Sequence, residues 1–390
     1  MRRSFKYRIY PTRGQAQRAE ACFSDHCRLY NAALEERRGL WEWNQKSISF
    51  YGQSAQLKYV RTDDPDQSRW SARSQEATLK RLDRAFQAFF RRVRAGQTPG
   101  YPRFKPVQRW DSVTWPSDGD GCKWKPDYSQ VYFKGIGVLK VMMHRPQLGV
   151  VKTLTLKREG RQWFVVLSCD DVPARPLPVT GEDVGVDVGV ARFVTLSDGQ
   201  IVENPRFTRN AAVELAEAQQ TVARRVKGSQ NQKRARRKVA GIHHKTRRRR
   251  LDFHHKTALK LVEDYDVIVL EDLKITNMIK RAKPKPDPKA PGQYLPNGGA
   301  AKTGLNRSIS DAAWGQFTSI LEAKAESAGR RVMFVNPAYT SITCHICGLK
   351  GERPQQDTVI CPVHGPLDAD LNGALNILSR AGLGSVLTQA

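Results

Sequence analysis

Cys344-His-Ile-Cys347, thirteen further residues, and Cys361-Pro-Val-His364 set four soft ligands in two pairs, each with the same two-residue gap. That spacing is what one tetrahedral Zn²⁺ needs, and it constrains the segment to a knuckle. His345 lies inside the first pair and is not counted as a ligand. The chain then runs straight into an acidic helix start, Asp368-Ala-Asp370-Leu-Asn372-Gly-Ala. Carboxylates beside such a knuckle point to a second, harder metal site.

The charge of the chain narrows its partners. Its 390 residues carry 65 Lys and Arg against 38 Asp and Glu, a net charge of +27. This excess is spread along the sequence and fits a polyanionic partner. Only Cys344, Cys347 and Cys361 of the seven cysteines have ligand spacing. A disulfide framework is not expected in a chain of this size, so a reducing cytosol is the expected compartment. No segment approaches the roughly 20 apolar residues of a membrane helix, so no membrane partner is expected. The length allows two or three packed units.

Phe5, Tyr7 and Ile9 alternate with basic residues and predict a strand ended by Pro11. Thr12-x-x-Gln15 is a capping box. Ala16, Ala19, Phe23, Cys27, Tyr30 and Ala33 follow it at helical spacing, with Cys22 and Cys27 read as core. A second helix is expected over about 71–95. Leu79, Leu82, Phe86, Phe89 and Val93 form its apolar stripe, Lys80, Arg84 and Arg91 lie off it, and Gly96 fits a cap. From Gly100 onward the composition turns β. Val131–Phe133, Val138–Met143, Val151–Lys157 and Trp163–Cys169 read as strands, the last two joined by a hairpin. The helical part therefore looks inserted into a small barrel, and Pro173, Pro176 and Pro178 mark a linker.

Beyond the linker, Val184–Val190, Arg192–Leu196 and Ile201–Glu203 predict a meander, followed by one long helical stretch over about 207–263. Residues 224–250 hold thirteen Lys or Arg. Arg224, Arg225, Lys233, Arg234, Arg236, Arg237, Lys238, Arg247, Arg248, Arg249 and Arg250 are too dense to neutralise one another, and phosphates would relieve the repulsion without reading sequence. His243-His244 and His254-His255 lie among them, as phosphate contacts or on a solvated face. Val267–Leu270 ends at Glu271. Residues 281–300 carry five prolines and read as a mobile loop. A helix with Trp314, Phe317 and Leu321 on one face, the strand Arg331–Val335, the knuckle and a helix from about 371 complete the order.

That order matches a ribonuclease H-like fold, with acids gathered at neighbouring element ends. Asp187 interrupts an apolar strand, which is costly unless the group is paired, solvated or metal-bound. Three carboxylates from separate elements can hold two Mg²⁺ ions for phosphodiester hydrolysis. Alternatively, Asp187 is a hydrogen-bonded strand end, and Asp368 or Asp370 caps the last helix.

The segments Lys6-Tyr-Arg-Ile-Tyr-Pro11, Gly100-Tyr-Pro-Arg-Phe-Lys105, Val186-Asp-Val-Gly-Val190, Thr195-Leu-Ser-Asp-Gly199, Val269-Leu-Glu-Asp-Leu273, Pro337–Cys344 and Asp368–Leu378 together resemble the transposon-encoded TnpB proteins. These are compact RNA-guided DNA endonucleases related to type V CRISPR effectors. The resemblance implies a multidomain α+β chain. A wedge barrel (1–11 and 100–172) would carry an inserted helical recognition lobe (12–99). A RuvC-like nuclease domain (180–340 and 367–390) would carry a zinc-finger insertion (341–366). It implies Asp187, Glu271 and Asp370 as catalytic acids holding Mg²⁺ or Mn²⁺, with Asp368 as the alternative third acid. Cys344, Cys347, Cys361 and His364 would hold one structural Zn²⁺, although the family's second pair is commonly Cys-x2-Cys. The implied partners are a guide RNA from the transposon end and a double-stranded DNA target beside a short motif, with no protein partner required. The implied setting is a prokaryotic cytoplasm, with activity at the nucleoid. Rival functions are a nuclease-inactive RNA-guided repressor, an RNA-independent transposase or resolvase of the same fold, and a zinc-finger regulator.

Overall fold

Alternation of apolar and basic residues makes Arg3–Tyr10 a strand (β1) with Phe5, Tyr7 and Ile9 all buried. The computed structural model describes residues 1–290 and 292–383. Its chain divides into two units, Met1–Pro173 and Ala174–Ala390, so the boundary falls at the first linker proline. Pro291 of the proline-rich loop and the last seven residues of the expected nuclease segment 367–390 lie outside the described residues.

In the first unit four helices follow β1: α1 (Arg13–Asn44), α2 (Phe50–Asp63), α3 (Pro65–Ser68) and α4 (Ala72–Arg94). The capping box is formed in both directions, Gln15 N donating to Thr12 Oγ1 at 3.3 Å and Thr12 N donating to Gln15 Oε1 at 2.9 Å. Helix α4 buries Leu79, Leu82 and Phe86, but Val93 is exposed, so the expected stripe ends a turn early. Gly96, at φ 62, donates to Val93 O while Gln97 donates to Arg92 O, the left-handed stop that a side chain would strain.

Six strands complete this unit: β2 (Ser112–Trp115), β3 (Cys122–Lys125), β4 (Gln130–Phe133), β5 (Gly137–Met142), β6 (Val150–Glu159) and β7 (Gln162–Asp170). They form an antiparallel, nearly closed barrel sheet in the order β2-β6-β7-β1-β5-β4-β3. The N-terminal strand is thus the middle one, and the helices are an insertion between it and β2. Sequence reading missed β2 and β3.

The second unit is built on a five-stranded mixed sheet. Its strands are β8 (Asp183–Val188), β9 (Arg192–Leu196), β10 (Ile201–Glu203), β11 (Val267–Glu271) and β12 (Arg331–Val335), in the order β10-β9-β8-β11-β12. Strands β8, β11 and β12 run parallel, β9 runs antiparallel to β8, and β10 pairs antiparallel with β9. The expected helix over 207–263 is broken into α5 (Phe207–Asn210), α6 (Ala212–Ala223) and α7 (Gln230–Asp264), so Arg224 and Arg225 sit in a turn rather than on a helix. After β11 come α8 (Ile275–Met278), α9 (Gly299–Ala312), which was not expected, and α10 (Trp314–Ala328). In the proline-rich loop Pro286 and Tyr294 form a bridge. The hairpin β13 (Thr358–Cys361) and β14 (Gly365–Asp368) leads into α11 (Ala369–Arg380).

Strand alternation gives this sheet two apolar faces. Val184, Val186, Ile268 and Leu270 pack with Ala258, Leu261 and Phe317 of α7 and α10. On the other face Val269 and Val335 pack against Ile377 of α11. His254 belongs to the first core. Its Nε2 lies 3.0 Å from Ala312 O, its ring stacks on Phe193, and burial holds its pKa down at about 4. It is neither a phosphate contact nor on a solvated face.

Candidate active site and metal centre

The α11 face of the sheet carries the acids. Gly185 lies beneath α11, and a Cβ there would stand 2.1 Å from Ala374 O. Asp187, two residues along β8, projects to the same side: its carboxylate would lie 3.2 Å from a Cβ on Gly373. In the parallel neighbour β11, Val269 packs against α11 and Glu271 follows two residues later. Leu270 is registered on Val186, so Glu271 and Asp187 emerge together at the carboxyl ends of adjacent strands. Asp370 precedes Gly373 by three residues on α11, which puts both on one helix face. Three elements therefore converge on one place, with glycines where helix and strand approach most closely.

Asp368 is accounted for separately. It is the N-cap of α11, its Oδ1 accepting from Asp370 N and Leu371 N at 3.0 Å each. Its other oxygen accepts from Arg192 at 2.8 Å. Of the two alternatives, Asp368 is the cap and Asp370 remains uncommitted to the helix end.

Burial, followed by the negative charges of Glu271 and Asp370, raises Asp187 to a pKa of about 7, with Arg353 opposing. Glu271 is also raised, by burial, against hydrogen bonding from Thr340. Asp370 is raised by burial and by Asp368, while Arg192 at 3.7 Å and Arg353 at 4.0 Å pull the other way. Such a cluster of under-compensated carboxylates suits a hard divalent cation. Among the described residues the three are not drawn within 4.8 Å of one another, as the sulfur cluster below is.

Side chains that sequence reasoning did not single out hold this geometry. Thr340 donates its hydroxyl to Glu271 Oε1. Asn376 Nδ2 donates to the carbonyls of Thr340 and Thr343 at 2.8 and 2.6 Å, and Asn372 Nδ2 donates to Thr343 O at 2.7 Å. Arg380 donates to Asn336 O and Ala338 O, both at 2.7 Å. The polar face of α11 thus anchors the loop that supports Glu271. Two asparagines four apart in an apolar helix were the available signal.

Cys344, Cys347, Cys361 and His364 bring four ligand atoms within 4.8 Å of one another. Cys347 Sγ is 3.5 Å from Cys361 Sγ, and His364 Nδ1 is 3.6 Å from the sulfurs of both Cys344 and Cys361. Those edges match a tetrahedron of Zn–S bonds, for which about 3.7 Å is expected. Burial opposes ionisation of Cys361, but backbone donors from His364 and Val363 bring it down to about 6, favouring the thiolate a metal needs. His345 faces elsewhere: its backbone N donates to Asn372 Oδ1 at 2.9 Å, and its ring Nδ1 lies 3.0 Å from the same oxygen.

The basic positions are mostly open. Lys80, Arg84 and Arg91 are exposed on α4, Arg224 and Arg225 in the α6–α7 turn, and Lys233, Arg234, Arg236, Arg237, Lys238, Arg247, Arg248 and Arg249 on α7. Arg250 is different. It is largely covered and donates to Asp311 at 2.7 Å and Thr208 at 2.9 Å, tying α7 to α9. Its charge is spent inside the fold.

Comparison with known proteins gives consistent matches. A "Probable transposase" family model matches residues 166–282, and a "Cas12f1-like, TNB domain" model matches 314–377. A "Helix-turn-helix domain" model matches 1–46, where this chain has a strand and one uninterrupted helix. A "Putative RNA-guided DNA endonuclease" of Streptomyces pristinaespiralis is 33% identical, covering 98% of this chain and 90% of that protein. Its counterpart InsQ of Escherichia coli (strain K12) is 32% identical, covering 96% and 91%. In fold, the chain is similar to a mini-RNA-guided endonuclease, CRISPR-Cas_phi3, with TM-score 0.50 and 11% identity over 99% of this chain and 93% of that one.

Proposed function

The chain belongs to the TnpB family, and from that premise we propose that it is an RNA-guided endonuclease that cuts double-stranded DNA at the site built from Asp187, Glu271 and Asp370. The observation that carries this is the convergence of three under-compensated carboxylates from β8, β11 and α11 on one face of a ribonuclease H-like sheet.

Asp187, Glu271 and Asp370 would hold Mg²⁺ or Mn²⁺. When bound, the ions supply the positive charge that acidifies an attacking water and stabilises the leaving oxygen. The protein's own contribution is placement. Thr340 fixes one oxygen of Glu271, Gly185 and Gly373 let α11 close on β8, and Arg192 and Arg353 stand beside Asp370, where a phosphate's charge would arrive. Cys344, Cys347, Cys361 and His364 hold one structural zinc in this reading.

The 1–11 and 100–172 barrel with its 12–99 lobe would read the motif beside the target. The 180–340 and 367–390 segments would cut, and the 341–366 insertion would contact nucleic acid. Exposed cations on α7 and α4 would carry guide and target phosphates. Among the described residues no helix is long and apolar enough to cross a membrane.

The test is to purify the chain, sequence the RNA that accompanies it, and assay cleavage of matching duplex DNA. A uniform structured RNA ending in a variable segment is expected. Asp187→Ala, Glu271→Ala and Asp370→Ala should each abolish cleavage while RNA and DNA binding persist. Full cleavage by Asp187→Ala would sink the assignment. Loss with Asp368→Ala but not Asp370→Ala would move the third acid by two positions.

A further inference from the structure

Arg192 opens β9, across the tight hairpin from the end of β8 that carries Asp187. Gly189 N donates to Phe193 O at 3.1 Å, and a Cβ on Gly189 would stand 2.7 Å from Arg192 O, so the backbone that carries Arg192 is closely fixed. The side chain reaches α11. Its Nη1 donates to Asp368 Oδ2 at 2.8 Å and lies 3.7 Å from Asp370 Oδ2. Asp368 is not free to turn away, because its Oδ1 is held by the N–H groups of Asp370 and Leu371. Only 29% of the Arg192 side chain is exposed.

A cation held by one acid against another opposes a metal ion at the second. When ionised, Asp187, Glu271, Asp368 and Asp370 bring four negative charges to this end of the sheet, and Arg192 and Arg353 bring two positive ones. A single divalent ion meets that excess. A second ion leaves the site positive unless an anion enters with it, and a phosphodiester is such an anion. Without Arg192, the acids would have charge to spare for the second ion before any DNA is bound.

We propose that Arg192 is an electrostatic gate on the acid site: paired with Asp368 and standing beside Asp370, it keeps the second divalent ion weakly held until a phosphodiester arrives. The inference rests on the two-metal nuclease reading and adds its regulation. Metal and DNA then bind cooperatively, each raising the affinity of the other by the same factor.

Mn²⁺ is titrated into the full purified chain with its bound RNA and followed by the EPR signal of the free ion. Asp187→Ala, carrying the same RNA, gives the background from ions held elsewhere. Arg192→Gln should bind Mn²⁺ about tenfold more tightly than wild type, since a unit charge close to a divalent ion is worth at least that even when strongly screened. Arg192→Lys keeps the charge and should match wild type. Asp368→Asn keeps a good helix cap and leaves Arg192 without its counter-charge, so it should weaken binding by a similar factor. Combining Arg192→Gln with Asp368→Asn restores the charge balance and should return the affinity to that of wild type. Adding matching duplex DNA should tighten Mn²⁺ binding to wild type and have little further effect on Arg192→Gln.

Unchanged or weaker Mn²⁺ binding by Arg192→Gln, with a lower melting temperature, would make the residue a brace between β9 and α11 and overturn the proposal. A double variant that binds as weakly as Asp368→Asn would make Asp368 a metal ligand and overturn it too. If Arg192→Gln fails to fold, unchanged affinity in Asp368→Asn is equally decisive against the gate. If wild type binds no Mn²⁺ above the Asp187→Ala background, the metal-site reading itself fails. Binding above background that ignores Arg192 refutes the gate alone.

Discussion

Replacing Gly185 by Ala tests how closely helix and strand must approach for the acids to meet. The added methyl would stand 2.1 Å from Ala374 O, 2.8 Å from Leu378 N and 3.0 Å from Leu378 Cβ. Two of these are backbone atoms of α11, so no side chain can turn aside. Restoring ordinary contact distance needs a shift of roughly 1 Å of the whole helix. Overpacking of this kind costs about 1–3 kcal/mol, and a 1 Å misplacement of reacting groups costs on the order of a hundredfold in rate. Asp370 rides on α11, so cleavage should drop by at least that factor while RNA binding is retained. Gly241→Ala is the control: nothing lies within 4 Å of its Cβ, and it sits inside α7. It should stabilise the protein by up to about 1 kcal/mol through helix propensity. Chemical denaturation and single-turnover cleavage are measured on both variants. Wild-type stability and cleavage in Gly185→Ala would refute the close approach and the placement of Asp370 that depends on it.

The remaining expectations follow from the same residues. Asp187 binds its proton more tightly folded than unfolded, so the stabilisation is full below the unfolded value of 3.8 and is lost as pH rises through about 7. The melting temperature of metal-free protein should therefore fall across that window, and Asp187→Asn should flatten the slope. Elemental analysis of fresh protein should give one zinc per chain, and Cys344→Ser or Cys347→Ser should release it with local unfolding; zinc-free native protein would refute the knuckle. Arg247→Ala, Arg248→Ala and Arg249→Ala together should flatten the salt dependence of nucleic-acid binding by up to about three ion releases. Arg250→Ala should instead lower stability, because the covered Asp311 carboxylate loses its ion-pair partner and keeps only hydrogen bonds from Thr208 and Arg209.

Elements with strong periodicity were readable in the sequence. The apolar run Val267–Leu270 and the strand Arg331–Val335 are found where patterning puts them. Strands β2 and β3 were missed because the two buried residues of each, Val113 with Trp115 and Cys122 with Trp124, are separated by a polar residue, whereas the equally short β4 joins its pair through Tyr132 into one apolar run. Helix α9 was missed because it buries only Ile309 and Ala312. The acids were visible because a carboxylate in an apolar strand is anomalous locally. Thr340 and Arg192 are not anomalous. Their roles arise from partners 69 and 176 residues away, which no local pattern encodes. Arg250 shows the converse: it looks like its neighbours in a basic run, and only its contact with Asp311 on another helix sets it apart.

The central position of β1 has a consequence for synthesis. Both of its hydrogen-bonding edges need strands near the end of the first unit: Arg8 pairs with Met142 on one side and with Phe164 on the other. At about 5–20 residues per second, the emerging chain carries an edge-exposed β1 for roughly 8–30 s before those partners leave the ribosome. Helices α1 to α4 are translated in that interval, with local contacts of their own. The lobe is therefore in a position to form first and to tether β1 through Thr12 and Gln15 until the barrel can close around it. Expression yield should accordingly depend on the helical insertion, even though it contributes no strand to the sheet.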